Sequence, residues 1–233
     1  MSGLLEKAKR QFHRGDLKIA QATLGRAIRE DRRNPEAHIL LATIHEQQGD
    51  LEEAARTFAS VIPLTPNLKR EVAFRAAQHY LSVGRSDGAL SALVSLHGAM
   101  PDDRDVNHSI CALLREAGRY SEALPFAAKL AKIGTDFDNW LNAGIVLSGM
   151  DMHEIAYPLL QKAQAAKPDE RLAVSELFWC AANLCDFPVA EAMQAKLEAA
   201  YAAEGDKADT RENAFRALTW SGDEAYHAKT ARR

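Results

Sequence analysis

Cysteine is scarce in this sequence, and long apolar runs are absent. Cys111, Cys180 and Cys185 are an odd number of cysteines, so they do not indicate a disulfide framework, and they favour a reducing compartment. No run of about 18 apolar residues occurs, and charges near the start leave no apolar core for a leader peptide. We therefore predict a cytoplasmic protein that does not cross a membrane.

Glycine and proline are also sparse, with 13 and 8 residues, so few positions interrupt a regular helix. Hydrophobic residues make up 47% of the chain and charged residues 26%, which excludes the composition of a disordered protein. Alanine and leucine recur throughout, whereas runs of the β-branched residues that favour strands are few. The composition predicts an all-α fold.

A strong net charge is lacking as well. The formal net charge of -3 argues against nucleic acid or an anionic membrane as the main partner. The charge is uneven, however, because residues 1–34 contain nine lysines and arginines but only four acids. This basic segment has two interpretations, a site for an acidic partner or an ordinary solvated helix surface.

Four of the glycines are spaced regularly, and each of these four precedes a polar residue. They recur at intervals of 34, 35 and 34 residues, and the spacing continues by 33 and 34 residues to an aspartate and a cysteine. The positions are Gly15, Gly49, Gly84, Gly118, Asp151 and Cys185. This period predicts six repeats, which we place at 1–34, 35–69, 70–103, 104–136, 137–170 and 171–203.

Within a repeat, apolar residues return every three or four positions, which predicts two helices on either side of the glycine. In the second repeat Asn34 is suited to cap the first helix, with Pro35 at its first position. Asp50 and Glu53 have the spacing of a capping box at the start of the second helix. Three prolines follow their turn residue by 17 positions and end the second helix: Pro66, Pro101 and Pro168.

This pattern resembles the tetratricopeptide repeat. The small and large positions of that family are filled in the second repeat by Leu41, Ala42, Gly49, Ala54, Phe58 and Pro66. The resemblance implies an all-α, right-handed superhelical solenoid of about six helical hairpins. Residues 204–233 predict a polar connection and C-terminal capping helices, with an apolar face at Ala214, Phe215, Leu218 and Trp220.

The same tail has a second resemblance. Residues 214–233 are similar to the linker that follows the tetratricopeptide arm in bacterial, SPINDLY-type relatives of protein O-GlcNAc transferases. The likeness implies an alternative function, an arm that presents protein substrates to an associated glycosyltransferase. It brings no catalytic residue into this chain, so no activity is carried over.

Motifs for catalysis and for metal binding are missing. No glycine-rich phosphate loop occurs, and His45-Glu46 is followed by Gly49 where a zinc-binding helix needs its second histidine. Cys180 and Cys185 are five residues apart, unlike the two-residue gap of redox and zinc motifs. We predict no enzymatic activity, no metal and no cofactor.

The resemblance instead implies a concave groove lined by the first helix of each repeat. By analogy with the family, the residues expected to face it are Phe12, Ile39, Thr43, Glu46, Phe74, Gln78, Leu81, His108, Arg115, Leu141, Ile145 and Trp179. Apolar anchors mixed with acids favour a protein or peptide segment of some basic character as the partner. We predict a non-catalytic scaffold or adaptor. An RNA-binding helical array is a weaker alternative, and the apolar ends of a solenoid leave a homodimer open.

Overall fold

A computed structural model describes residues 3–204 and Ser221. These residues contain twelve α-helices, a short 3₁₀ helix at Ile62–Leu64 and no β-strand, so the all-α prediction is confirmed. The α-helices are α1 (Gly3–His13), α2 (Leu17–Glu30), α3 (Pro35–Gln47), α4 (Leu51–Val61), α5 (Lys69–Ser82), α6 (Ser86–His97), α7 (Arg104–Glu116), α8 (Tyr120–Ile133), α9 (Phe137–Gly149), α10 (His153–Ala166), α11 (Arg171–Asn183) and α12 (Phe187–Glu204). The predicted capping helices and the linker-like tail lie outside the described residues.

The described residues divide into two compact units, with the boundary between Val106 and Asn107. In the first unit α1 packs on α2, α3 on α4 and α5 on α6, and each hairpin meets the next through α2 with α3 and α4 with α5. In the second unit α8 to α12 pack successively, and α11 also contacts α9. Helix α7 begins just before the division, and most of it belongs to the second unit.

The six regularly spaced turn residues all have a left-handed backbone. Their φ angles range from 58° at Asp151 and Cys185 to 82° at Gly15. In each turn the N–H of the next residue donates to the carbonyl five residues earlier, as Asp16 does to Gln11 at 3.0 Å and Asp186 to Ala181 at 2.9 Å. This bond closes the end of a helix and needs a positive φ, which explains why glycine holds four of the six positions.

The two predicted caps of the second repeat have different outcomes. Asn34 accepts a hydrogen bond from the Ala37 N–H at 3.1 Å, so this cap is confirmed. The capping box of Asp50 and Glu53 is wrong, because Asp50 makes no side-chain cap bond. The Asp50 N–H that Glu53 would have bonded already donates to the His45 carbonyl at 2.9 Å, in the turn that ends α3.

Close helix packing depends on small residues in both units. In the first unit Ala42, Ala54 and Phe58 are fully buried, as expected for the small and large positions of the repeat. In the second unit Gly144 of α9 lies against Leu160 of α10, and a methyl group on Gly144 would be 2.6 Å from Leu160 Cδ2. The Leu160 side chain can approach the α9 backbone this closely because Gly144 carries no side chain at the contact.

Candidate protein-binding surface

The first helices α1, α3 and α5 of the first unit are linked side by side through charged residues. Lys9 of α1 pairs with Glu36 of α3 at 2.5 Å, and Glu46 of α3 pairs with Arg75 of α5. These links place six predicted groove residues on one set of neighbouring helices. We call them the first-helix face: Phe12, Ile39, Thr43, Phe74, Gln78 and Leu81.

Accessibility differs along the first-helix face. Phe12 is half-buried and packs against the core cluster around Leu5, so much of its ring is already used in folding. Ile39 and Thr43 on α3 are half-buried, whereas Gln78 on α5 is exposed. Leu81, near the end of α5, is 45% exposed and is the most accessible apolar residue of this face. The accessible part of the face therefore lies on α3 and α5.

Phe74 of α5 is held in place by a neighbouring arginine. The Arg70 guanidinium lies 4.9 Å from the centroid of the Phe74 ring, a cation–π arrangement. Arg70 Nε also donates to Asp103 at 3.1 Å, and its Nη2 donates to Asp105 at 2.6 Å. The two carboxylates neutralise the Arg70 cation. Arg70 therefore supports the Phe74 ring and does not offer an unpaired positive charge to a partner.

Glu46, predicted to offer a negative charge to a basic guest, is already bound within the protein. Its carboxylate accepts hydrogen bonds from Arg75 and from His79 Nε2, the latter at 3.1 Å. The Arg75 guanidinium also lies 4.3 Å from the centroid of the buried Phe58 ring. The negative charge of Glu46 therefore serves contact between repeats, and no available acid remains at this position.

The predicted groove residues of the second unit are more enclosed. Leu141 and Ile145 of α9 are only 8% and 4% exposed, and every residue from 141 to 148 is buried. Eight consecutive buried residues cover all sides of a helix, so these two side chains present no open surface. Trp179 of α11 and Arg115 of α7 are half-buried, and Arg115 Nη2 bonds to Glu116 at 3.3 Å.

His108 of α7 is also engaged internally, in a chain of buried amides. Asp136 Oδ2 accepts from Asn139 Nδ2 at 2.9 Å, which orients the Asn139 carbonyl oxygen toward His108 Nδ1 at 3.0 Å. That oxygen can only accept, so in the neutral ring this contact requires the His108 proton to be on Nδ1. Nε2 then accepts from Asn142 Nδ2 at 3.3 Å.

The sequence patterns did not identify the residues that form hydrogen bonds with the predicted groove residues Glu46 and His108. Arg75 and His79 form hydrogen bonds with Glu46, and Asn139 and Asn142 form hydrogen bonds with His108. Each pair joins residues 29 to 34 positions apart, about one repeat length. A search for complementary polar residues displaced by one repeat would have found these partners.

Catalytic and metal-binding chemistry is not prominent in the part of the chain that the structure describes. That part holds no cluster of three or more histidines, cysteines or acids able to bind a metal. Cys111 and Cys180 are buried, and burial raises the pKa of the Cys111 thiol to about 12 despite nearby Arg115. None of the helices in the described part of the chain is both long and apolar enough to cross a membrane.

Comparison with known families gives one match, and comparison with curated protein sequences gives none. The tetratricopeptide repeat family profile matches residues 5–68, the first two hairpins. No curated protein sequence matches the chain.

Solved structures with a similar fold cover almost the whole chain. YrrB, a tetratricopeptide protein with an unusual peptide-binding site, superposes with a TM-score of 0.59 at 15% identity, over 90% of this chain and 98% of YrrB. A tetratricopeptide repeat protein from Parabacteroides merdae gives 0.50 at 17% identity, covering 98% and 96% of the two chains. The complex of Naa15/Naa10 bound to HypK-THB contains a chain that gives 0.61 at 13% identity; 98% of this chain covers 37% of that one. At these identities the similarity concerns the fold alone.

Proposed function

Because the chain has the all-α fold of a tetratricopeptide-repeat protein, we propose that it is a non-catalytic scaffold that binds a protein segment on the first-helix face of its first unit. The observation that carries this proposal is Leu81, an exposed leucine on α5 beside exposed Gln78. Ile39 and Thr43 on the neighbouring α3 extend the accessible surface. The fold similarity to YrrB supports peptide binding as the class of function.

The charges on these helices favour an apolar, uncharged segment rather than a basic one. Glu46, the acid predicted to face a basic guest, is neutralised by Arg75, and Glu36 on the same helix pairs with Lys9. What remains is an apolar leucine and isoleucine together with polar, uncharged Thr43 and Gln78. Such a surface suits a segment with aliphatic anchors whose backbone bonds to the amide side chain.

Thr43 and Gln78 are suited to that backbone recognition. The Thr43 hydroxyl donates to the Ile39 carbonyl at 3.0 Å, which leaves its oxygen able to accept a hydrogen bond from a guest N–H. Gln78 offers both a donor and an acceptor from an exposed position. His108, Arg115 and Trp179 in the second unit stay predictions and form no part of this proposal.

The test uses a matched pair of exposed apolar residues in the first unit. Peptides selected from a random display library against the full chain would be titrated by fluorescence anisotropy against Leu81→Asp and against Val94→Asp. Val94 lies on α6, a second helix, and is 48% exposed, against 45% for Leu81. We expect Leu81→Asp to weaken the selected peptides at least about tenfold, as at an apolar anchor, and Val94→Asp to change little.

Two results would contradict the proposal: selected peptides that lose affinity equally in both variants, or peptides that lose it only in Val94→Asp. A photo-crosslinking residue at position 78, compared with one at Ser91 on α6, gives an independent readout in cells. Crosslinked proteins specific to position 78 would identify the partner. Recovery of a glycosyltransferase there would favour the substrate-presenting alternative, whose only support so far is sequence likeness in residues 214–233.

A further inference from the structure

The outward side of α2, the second helix of the first repeat, carries a group of unpaired cations. Lys18, Ala22, Arg26 and Arg29 follow one another at spacings of four, four and three residues, so they lie on one side of the helix. All four are exposed, and Ile19 beside them is 55% exposed. We call these five residues the α2 surface. The opposite side of α2 contributes its buried residues to the core.

Arg56 and Arg85 of the next two repeats are bound by acids, whereas the cations of the α2 surface are not. Arg56 on α4 bonds to Glu53 at 2.8 Å, and Arg85 bonds to Glu52 at 3.1 Å. Of the residues that the structure describes, none forms an ion pair or hydrogen bond with the side chains of Lys18, Arg26 or Arg29. Arg29 instead extends back along the helix toward Gly25, whose added Cβ would be 3.9 Å from its Nη1.

The placement of Lys18 does not serve the stability of the helix. It lies in the first turn of α2, where the helix dipole favours acids, and that turn contains no acid. The preceding Asp16 makes no side-chain cap bond to α2. A purely structural first turn would be expected to gain from an acid at this point. Lys18 is therefore exposed at the start of α2 without a stabilising role in the helix, and it is available to a partner.

An exposed apolar side chain, that of Ile19, accompanies the charges. Ile19 and Leu17 line a shallow cavity of about 410 Å³ together with Gly15, Asp16, Lys18 and Gln48. Lys18 and Arg29 are eleven residues apart, or about 16 Å along the helix axis at about 1.5 Å per residue. The surface thus offers cations at both ends and an exposed isoleucine beside Lys18.

From this arrangement we infer that the α2 surface binds an acidic protein segment that carries an apolar side chain near one end. Carboxylates of the segment pair with Lys18, Arg26 and Arg29, and its apolar side chain packs on Ile19 at the cavity. A nucleic acid fits less well, because Ile19 would face phosphates and no aromatic ring on this surface is available for base stacking. A membrane fits less well, because one exposed isoleucine is a small apolar anchor.

The site is separate from the first-helix face, since it uses a second helix and different side chains. The test uses the full chain and a fluorescein-labelled synthetic peptide of about three helical turns, rich in glutamate with leucines near one end. A short single-stranded RNA and vesicles containing phosphatidylserine serve as competing probes. We expect the peptide to bind more tightly than either, with an affinity that falls as salt is raised.

The decisive variant is the double charge reversal Lys18→Glu with Arg29→Glu. Its matched control is Lys132→Glu with Lys162→Glu, two exposed lysines of the second unit with the same total change in charge. We expect the first pair to weaken the peptide at least about tenfold and the control to change its affinity less than about twofold. Ile19→Ser is expected to weaken the peptide about threefold or more, and Leu81→Asp to leave it unchanged.

A charge swap makes the assignment specific. The same peptide with every glutamate replaced by lysine should bind the Lys18→Glu/Arg29→Glu variant and not the wild type. Should circular dichroism show that this variant does not fold, Lys18→Gln with Arg29→Gln replaces it and should still weaken the glutamate peptide. Tighter binding of RNA or vesicles, no binding of the peptide, or equal loss in both double variants would each overturn the inference.

Discussion

The Arg75 guanidinium of α5 lies 4.3 Å from the centroid of the Phe58 ring of α4, while it also bonds to Glu46 of α3. One cation therefore joins the second hairpin to the third through an aromatic ring and a carboxylate. His79 completes the contact, with its ring 6.0 Å from that of Phe58 and its Nε2 at 3.1 Å from Glu46. The arrangement predicts that Arg75 is more important for stability than an ordinary surface arginine.

Replacement of Arg75 by alanine should lower the free energy of unfolding by about 1–2 kcal/mol, because both the carboxylate bond and the ring contact are lost. Arg56→Ala is the control, since Arg56 is 61% exposed in its side chain and pairs only within α4; it should cost less than about 0.5 kcal/mol. Urea unfolding followed by circular dichroism measures both. Equal losses of unfolding free energy in the two variants would show that the contact of Arg75 between repeats adds no stability beyond that of a surface ion pair.

Two helical glycines should respond in opposite directions to alanine. A methyl group at Gly144 would be 2.6 Å from Leu160 Cδ2, so Gly144→Ala should lower the free energy of unfolding by about 1–3 kcal/mol through overpacking. A methyl group at Gly25 would be 3.9 Å from its nearest neighbour, Arg29 Nη1. Gly25→Ala should therefore raise the free energy of unfolding by about 0.5–1 kcal/mol through helix propensity. Thermal unfolding of the two variants gives the comparison. A stabilised Gly144→Ala would mean that α9 and α10 do not approach this closely.

The two non-glycine turns are expected to carry backbone strain. Asp151 and Cys185 both have φ of 58°, a conformation that costs a side-chain-bearing residue about 1 kcal/mol. Asp151→Gly and Cys185→Gly should each raise the melting temperature. Gly49→Ala, at a φ of 79°, should lower it. A lower melting temperature in both glycine variants would contradict the left-handed assignment of these turns.

The carboxylate of Asp103 predicts a loss of stability in acid. Burial by itself would raise its pKa, but the hydrogen bond from the Val106 N–H and the Arg70 guanidinium hold the pKa of Asp103 below its ordinary value. Because folding lowers this pKa, its contribution is present above about pH 4 and is lost as pH falls through the folded value. The difference in free energy of unfolding between wild type and Asp103→Asn should therefore shrink on acidification. A constant difference would contradict this.

The hydroxyl of Tyr157 predicts a loss of stability at high pH. It donates to Asp186 at 2.6 Å, and burial together with this bond raises the pKa of Tyr157 to about 12. An unfolded tyrosine titrates near about 10, so the contribution is present below that pH and is lost as pH rises toward 12. The difference spectrum between wild type and Tyr157→Phe during alkaline titration reports the folded pKa. A midpoint near about 10 would show that the Tyr157–Asp186 bond does not persist in solution.

Local signals predicted the fold well. The regular spacing placed turns at Asp151 and Cys185, where no glycine marks them, and both have the same left-handed backbone as the glycines. Asn34 capped its helix as expected, because a cap needs only atoms three residues away. The capping box at Asp50 failed for a reason that is also local, since the same N–H cannot serve both the turn and Glu53.

The sequence by itself determined the all-α repeat fold, its turns and the identity of the first helices, because helix periodicity and turn conformation depend on neighbours within a few residues. Only the tertiary structure decided which side chains on those helices remain accessible. Glu46 and His108 are occupied by partners about one repeat away, and Leu141 with Ile145 is buried, whereas Leu81 and Gln78 stay exposed. The physical reason is that polar pairing and burial are settled between helices that only packing brings together.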